Sequence, residues 1–155
     1  MLKLTKKADY GLISLKHLAL RPDRGASSAK EMSEAYRIPL PILAKVLQRM
    51  VKEGFLLSEQ GTNGGYRLAR DPATITTLEV IRAIDGPIIL TSCFTDHGDC
   101  DLSDNCTVRE PLRKVHEGIL RLLDGITISD LTDETGTPGA LPPQAEIAGL
   151  TVLRS

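Results

Sequence analysis

Pro41-Ile-Leu-Ala-Lys-Val-Leu-Gln-Arg-Met50, followed within five residues by Phe55-Leu-Leu-Ser58, Glu59-Gln-Gly-Thr-Asn-Gly-Gly65 and Tyr66-Arg-Leu-Ala69, is the stretch that decides the fold. Leu43, Val46, Leu47 and Met50 keep the i, i+3, i+4, i+7 spacing of a buried helical stripe. Pro41, Ile42, Lys45, Gln48, Arg49 and Lys52 fall on the opposite side. Taken alone, those cations describe a solvated helix face. The segment beyond the helix points elsewhere: 55–58 and 66–69 read as two short strands, and Asn63-Gly64 between them supplies the positive φ values of a hairpin tip.

Working towards the N-terminus, Ala8, Leu12, Leu15 and Ala19 recur at helical spacing over residues 5–20, with Thr5 as N-cap and Pro22 and Gly25 as stops. Ser28-Ala-Lys-Glu31 has the pattern of a capping box and opens a second helix to about Tyr36. Arg37-Ile-Pro-Leu-Pro41 turns into the third, with Pro41 at its first position, and Gly54 ends it. Three short helices followed by a glycine-tipped hairpin is the order of a winged helix-turn-helix, in which the third helix enters the DNA major groove. The predicted class is therefore mainly α with a small β-hairpin wing.

Charge supports that reading once it is divided. The 155 residues carry a formal net charge of −1, which as a total argues against nucleic acid as a partner. Residues 1–70 hold 13 Lys and Arg against 6 Asp and Glu, a net of +7, and the remainder is −8. The basic half coincides with the predicted winged helix, where cations attract phosphates and release counterions. The DNA-facing candidates are Ser28, Pro41, Ile42, Lys45, Gln48, Arg49, Asn63 and Gly64.

Thr76-Thr-Leu-Glu79 is a second capping-box pattern, opening a helix to about Ile84 that Asp85-Gly-Pro87 closes. Further on, Val108, Leu112, Val115, Ile119 and Leu122 repeat at 4, 3, 4, 3, a seam suited to pairing with a second copy or to packing within one chain. Its start is ambiguous, because a Thr107–Glu110 box would leave Pro111 inside the first turn. Residues 124–131 read as a short strand or a capped turn. The chain divides into a winged helix-turn-helix (1–86), a cysteine loop (87–106), a dimerisation helix with a closing element (107–131) and a Gly/Pro-rich tail (132–155).

Three cysteines, Cys93, Cys100 and Cys106, lie within fourteen residues. The number is odd, the start lacks a secretory pattern and no apolar run is long enough to span a bilayer, so a soluble cytoplasmic protein with thiols as metal or redox ligands is expected. The intervals match neither zinc knuckles nor ferredoxin runs. Asp96, Asp99, Asp101 and Asp104 crowd the same loop, where thiolates would resist ionisation unless a metal centre compensated the charge. Three ordinary thiols in a mobile loop, or zinc held by the cysteines and His97 in a module acting on a protein partner, remain alternatives. His17 and His116 read as helix-surface residues. No phosphate-binding glycine loop, Ser/His/Asp order or acid–base pair is present, and no enzyme is expected.

From Met1 to about Leu131 the chain resembles the Rrf-two family of dimeric bacterial winged-helix regulators. Leu4-Thr-Lys-Lys-Ala-Asp-Tyr10, the wing Gly61-Thr-Asn-Gly-Gly-Tyr-Arg-Leu68, Ile81-Arg-Ala-Ile-Asp-Gly86, the three cysteines and Ile126-Thr-Ile-Ser-Asp-Leu131 carry the resemblance. It implies a homodimer, a double-stranded DNA operator, and an iron–sulfur cluster (2Fe–2S or 4Fe–4S) on Cys93, Cys100 and Cys106 whose state alters operator binding, most often as a repressor of cluster-assembly genes. Cluster-assembly members place a His three residues after the last cysteine; here that position is Arg109, which cannot ligate. In the nitric-oxide-sensing type an Asp near the start of the first helix, from the partner subunit, completes the cluster, and Asp9 matches it. His97 and Glu110 are local alternatives, and Asp9 also reads as a first-turn acid favoured by the helix dipole.

Overall fold

Thr5 opens the first helix, α1 (Lys6–Ala19), by accepting the Ala8 N–H on its hydroxyl at 3.3 Å, which satisfies one of the donors a helix leaves free at its start. The structure, a computed structural model, describes residues 3–95, 100 and 105–133. His97, the aspartates 96, 99, 101 and 104, and the tail beyond residue 133 lie outside the described residues.

Ser28 starts α2 (Ala29–Tyr36) by accepting the Glu31 N–H at 3.1 Å. The expected capping box is only half formed, because the Glu31 carboxylate turns to Arg21 Nη1 at 3.1 Å. Arg37 then reverses the chain with a φ of +54°, the one positive value outside glycine among the described residues. Helix α3 (Leu40–Lys52) begins one residue before the expected Pro41, which occupies the second position; the amide a proline lacks is unpaired there too. Leu43, Val46, Leu47 and Met50 are its buried residues, as the spacing predicts. Each contributes about 1.5–3 kcal/mol on burial, which fixes the rotation of the helix about its axis.

Strands β1 (Leu56–Glu59) and β2 (Gly65–Leu68) pair antiparallel in the register Leu56↔Leu68 to Glu59↔Gly65. Both are shifted one residue towards the tip from the expected ends. Asn63-Gly64 does not supply the positive φ values of the turn: Gly61 (+113°) and Gly65 (+152°) do. The reason is tertiary. Ser27 bridges to Tyr66, donating to its carbonyl at 3.0 Å and accepting its N–H at 2.8 Å, so β2 runs against the segment before α2.

After the turn Pro72–Thr74, Thr76 and Glu79 form the full reciprocal capping box of α4 (Thr77–Asp85), and Gly86 ends it. A single 3-10 turn, Ser92–Phe94, comes next. Helix α5 (Arg109–Asp124) has Val108 as N-cap with no side-chain cap. The Thr107–Glu110 box therefore does not form, and Pro111 sits third, where no intrahelical amide bond is lost. Residues 124–131, expected as a short strand or a capped turn, open a short helix instead: Thr127 and Asp130 box the start of α6 (Ile128–Thr132).

The core collects Leu15, Met32, Leu43, Leu47, Met50, Leu56, Ile75, Val80 and Ile128. Helix α1 crosses it, packed against α3, α4 and α6. Ile128 enters from the far end of the chain, with its amide on Ile75 O at 2.9 Å. His17, expected on the surface, is buried at 1% exposure; Tyr36 Oη lies 3.0 Å from its Nδ1 and Ser27 Oγ 3.2 Å from its Nε2. No helix among the described residues is long and apolar enough to cross a membrane.

Candidate nucleic-acid interface and cysteine segment

With its apolar stripe pinned in the core, α3 turns Pro41, Ile42, Lys45 and Gln48 outward, and Ile42 keeps 40% of its surface exposed. Lys45 has no carboxylate within ion-pair distance among the described residues. Arg49 differs. Its Nε donates to Ala83 O of α4 at 3.0 Å and its Nη2 pairs with Glu53 Oε1 at 3.1 Å. Periodicity puts it among the outward residues, but its guanidinium is committed to the end of α4. Arg49 thus links the outward helix to the residues just before the cysteine segment.

The hairpin brings Thr62 and Asn63 to an exposed tip. Gly64 closes that tip by donating its N–H to Gly61 O at 3.0 Å; a Cβ there would stand 2.5 Å from Glu59 O. Gly65 is equally constrained, since a Cβ would meet Ser27 O at 2.4 Å. A groove lined by Arg24, Ser28, Glu31, Glu59, Asn63 and Gly64 separates the tip from the start of α2. Its two carboxylates are neutralised, Glu31 by Arg21 and Glu59 by Arg67. The Ser28 hydroxyl accepts the helix-cap bond, and its O–H has no acceptor among the described residues. The buried His17 fastens this region beneath the surface, joining α1, the Ser27 bridge and Tyr36. Burial and the nearby Arg21 hold its imidazole below the usual histidine value, against an opposing pull from Glu31.

The three cysteines are free thiols and half-buried. Cys93 lies in the Ser92–Phe94 turn with its Sγ 2.9 Å from Thr91 Oγ1; Cys106 lies three residues before α5. The turn is anchored on α5, where the Phe94 ring tilts 34° against His116 at 5.4 Å. Sequence spacing left His116 on the surface; its Nδ1 is buried and has no hydrogen-bond partner among the described residues. The Glu110 carboxylate is engaged by Arg113, which holds it below the usual carboxylate range, so it is a poor candidate ligand. Asp9 is exposed in the first turn of α1.

Three reduced, accessible thiols are donors of the kind an iron–sulfur cluster takes. Among the described residues, however, no three His, Cys, Asp or Glu side chains converge as a metal site. The donor set fits such a group in chemistry and is not gathered at one point among the described residues. Helix α5 has no buried residue, although its apolar side chains share a face; Val115 and Leu122 are 52% and 43% exposed, and Val108 at its N-cap is 53% exposed.

The comparisons with known proteins agree on the class of protein. The family model described as "Rrf2: Iron-dependent Transcriptional regulator" matches residues 4–134. The chain is 34% identical over 131 residues, 84% of its length and 88% of the relative's, to the HTH-type transcriptional regulator NsrR of Shouchella clausii (strain KSM-K16). Among solved structures, it superposes on CymR (YrzC), the global cysteine regulator of B. subtilis, with a TM-score of 0.71 at 26% identity, covering 85% of this chain and 97% of that one. It superposes on T. potens IscR with a TM-score of 0.67 at 28% identity, covering 84% and 85%. These relatives are regulators and not enzymes, and they share the winged-helix architecture of this chain. A helix held by its apolar stripe with a polar face outward, a glycine-built wing beside it, and a family match over most of the chain lead to one conclusion: the protein belongs to the Rrf2 (Rrf-two) family of transcriptional regulators.

Proposed function

We propose that the protein is a homodimeric DNA-binding repressor whose operator affinity depends on the state of an iron–sulfur cluster held by Cys93, Cys100 and Cys106, acting on cluster-assembly genes. Ile42, Lys45 and Gln48 with Pro41 meet the major groove, and Ser28, Asn63 and Gly64 meet the backbone beside it. Arg49 serves the same surface from its flank. When bound, the cluster supplies a redox- and nitric-oxide-sensitive centre. The fourth ligand is Asp9 of the partner subunit, a reading supported by Arg109 standing where a His would serve and by Arg113 engaging Glu110. The division of labour runs along the chain: 1–86 reads DNA, 87–106 holds the cluster and 107–131 dimerises.

The observation that supports the sensing half is the point at which the cysteine segment joins the fold. The cysteine segment leaves α4 just after Ala83 and Asp85, and these two residues hold α3 through Arg49 and the start of α1 through Thr5. Ordering the segment around a cluster biases the last turn of α4, and with it the angle of α3. That requires the two cluster states to differ in free energy between two arrangements of this joint.

The test is anaerobic isolation with absorption spectra and iron and sulfide analysis. The wild type is expected brown with matched iron and sulfide, and Cys93→Ala, Cys100→Ala and Cys106→Ala colourless. A colourless zinc protein would favour the alternative of a zinc module acting on a protein partner. Three variants as brown as the wild type would exclude these thiols as ligands.

A further inference from the structure

We propose that a cleft between α1, α3 and α4 seats a phosphate of the DNA backbone, with Lys7 as a contact residue outside the recognition helix and wing. The inference rests on the proposed DNA-binding function. The cleft has a volume of about 440 Å³ and is lined by Lys7, Ile42, Lys45, Val46, Arg49 and Ile84. Its charged members come from two separate helices, so their convergence is a product of the fold.

Gly11 makes that convergence possible. It stands one turn beyond Lys7 on the same side of α1, and the space its missing Cβ would fill is occupied by Ile84 Cδ1, 2.4 Å from that position. Met50 Sδ and Val46 Cγ1 lie at 3.4 and 3.7 Å. Helix α1 therefore approaches α3 and α4 closely at Gly11, and Lys7, one turn earlier, joins the lining of the cleft.

The three cations are not equally free. Arg49 is tethered to Ala83 O and Glu53. Lys7 and Lys45 have no carboxylate within 4.0 Å among the described residues, and both side chains are exposed. Like charges gathered around an apolar floor of Ile42, Val46 and Ile84 repel one another, and an anion seated among them relieves that repulsion. The cleft flanks the outward face of α3. A duplex lying on that face presents a row of phosphates to the flank, and this complementarity selects the DNA backbone over a free anion.

A phosphate contact carries no sequence information, so a labelled 30-base-pair duplex of mixed sequence is a sufficient probe. Affinity is measured by fluorescence anisotropy across a potassium chloride series for the full chain. Lys7→Gln is expected to flatten the log–log salt slope by about 0.9 for each phosphate it leaves without a cation, with binding about eightfold weaker at 0.1 M salt for each such phosphate. Lys7→Arg should restore the slope, whereas Lys114→Gln on α5, with the same change in net charge, should keep the wild-type slope. A Lys7→Gln slope equal to the wild type would overturn the cleft while leaving the DNA-binding function intact. Wild-type protein that binds neither this duplex nor the promoter DNA of its own gene would overturn both. Inorganic phosphate binding that Lys7→Gln abolishes, with an unchanged duplex slope, would assign the cleft to a free anion and overturn the proposal.

Discussion

Replacing Gly65 by Ala separates two ways in which a glycine serves this fold. Gly65 has a φ of +152°, and a Cβ added there would lie 2.4 Å from Ser27 O, 2.5 Å from Ser27 C and 2.8 Å from Ser28 N. All three are backbone atoms, so no rotamer change relieves the overlap. The strained backbone costs about 1–3 kcal/mol. Relief requires β2 to leave Ser27, which breaks the two bonds of the Ser27–Tyr66 bridge at about 1 kcal/mol each. The expected loss is roughly 3–5 kcal/mol, a large share of a small domain's stability. Gly61→Ala is the internal control. Its φ of +113° is also unfavourable, but nothing lies within 4 Å of its added Cβ, so only the strain of about 1–3 kcal/mol applies. Urea unfolding monitored by circular dichroism should place the Gly65→Ala midpoint well below that of Gly61→Ala, by about 1 M for a slope near 2 kcal/mol per M. Duplex affinity should fall more in the same variant, because the wing is carried by the bridge. Equal midpoints for the two variants would refute the close approach of β2 to Ser27.

His17 gives the stability a pH dependence. Its folded value lies below the usual 6.5, chiefly through burial and then Arg21, so the unfolded chain binds its proton first as pH falls. Stability should be full above about pH 6.5 and decline as pH drops from there towards the folded value. His17→Gln should flatten that stretch of a urea-midpoint profile, and an unaltered profile would assign the decline to other groups. Val115→Asp, on a face of α5 that is 52% exposed at that residue, should convert dimer to monomer in light scattering while leaving the far-ultraviolet spectrum unchanged. A wild-type chain that is monomeric at micromolar concentration would refute the pairing of α5.

Some of this architecture was legible along the chain because its causes are local. The α3 stripe at Leu43, Val46, Leu47 and Met50 and the Thr76–Glu79 box depend on partners three or four residues away, which spacing specifies directly. The thiol spacing and the basic first half are likewise properties of the chain. Arg49 was not legible in the same way. Helical periodicity assigns it to the outward face, but Ala83 O, 34 residues distant, competes for its guanidinium. The Ser28–Glu31 box failed for the same reason, with Arg21 drawing the carboxylate away.

By itself, then, the sequence determined the first four helices and α5, the glycine-rich wing between two short strands, the charge asymmetry and the clustering of the three cysteines. Only the tertiary structure decided which glycines carry the positive φ values, that His17 is a buried clasp between Tyr36 and Ser27, that Ile128 closes the core, and that Lys7 meets Lys45 across one cleft. The physical reason is the range of the forces involved. Capping and amphipathic periodicity act within a helical turn, whereas backbone approach, burial and the gathering of like charges depend on which segments the packed core brings side by side.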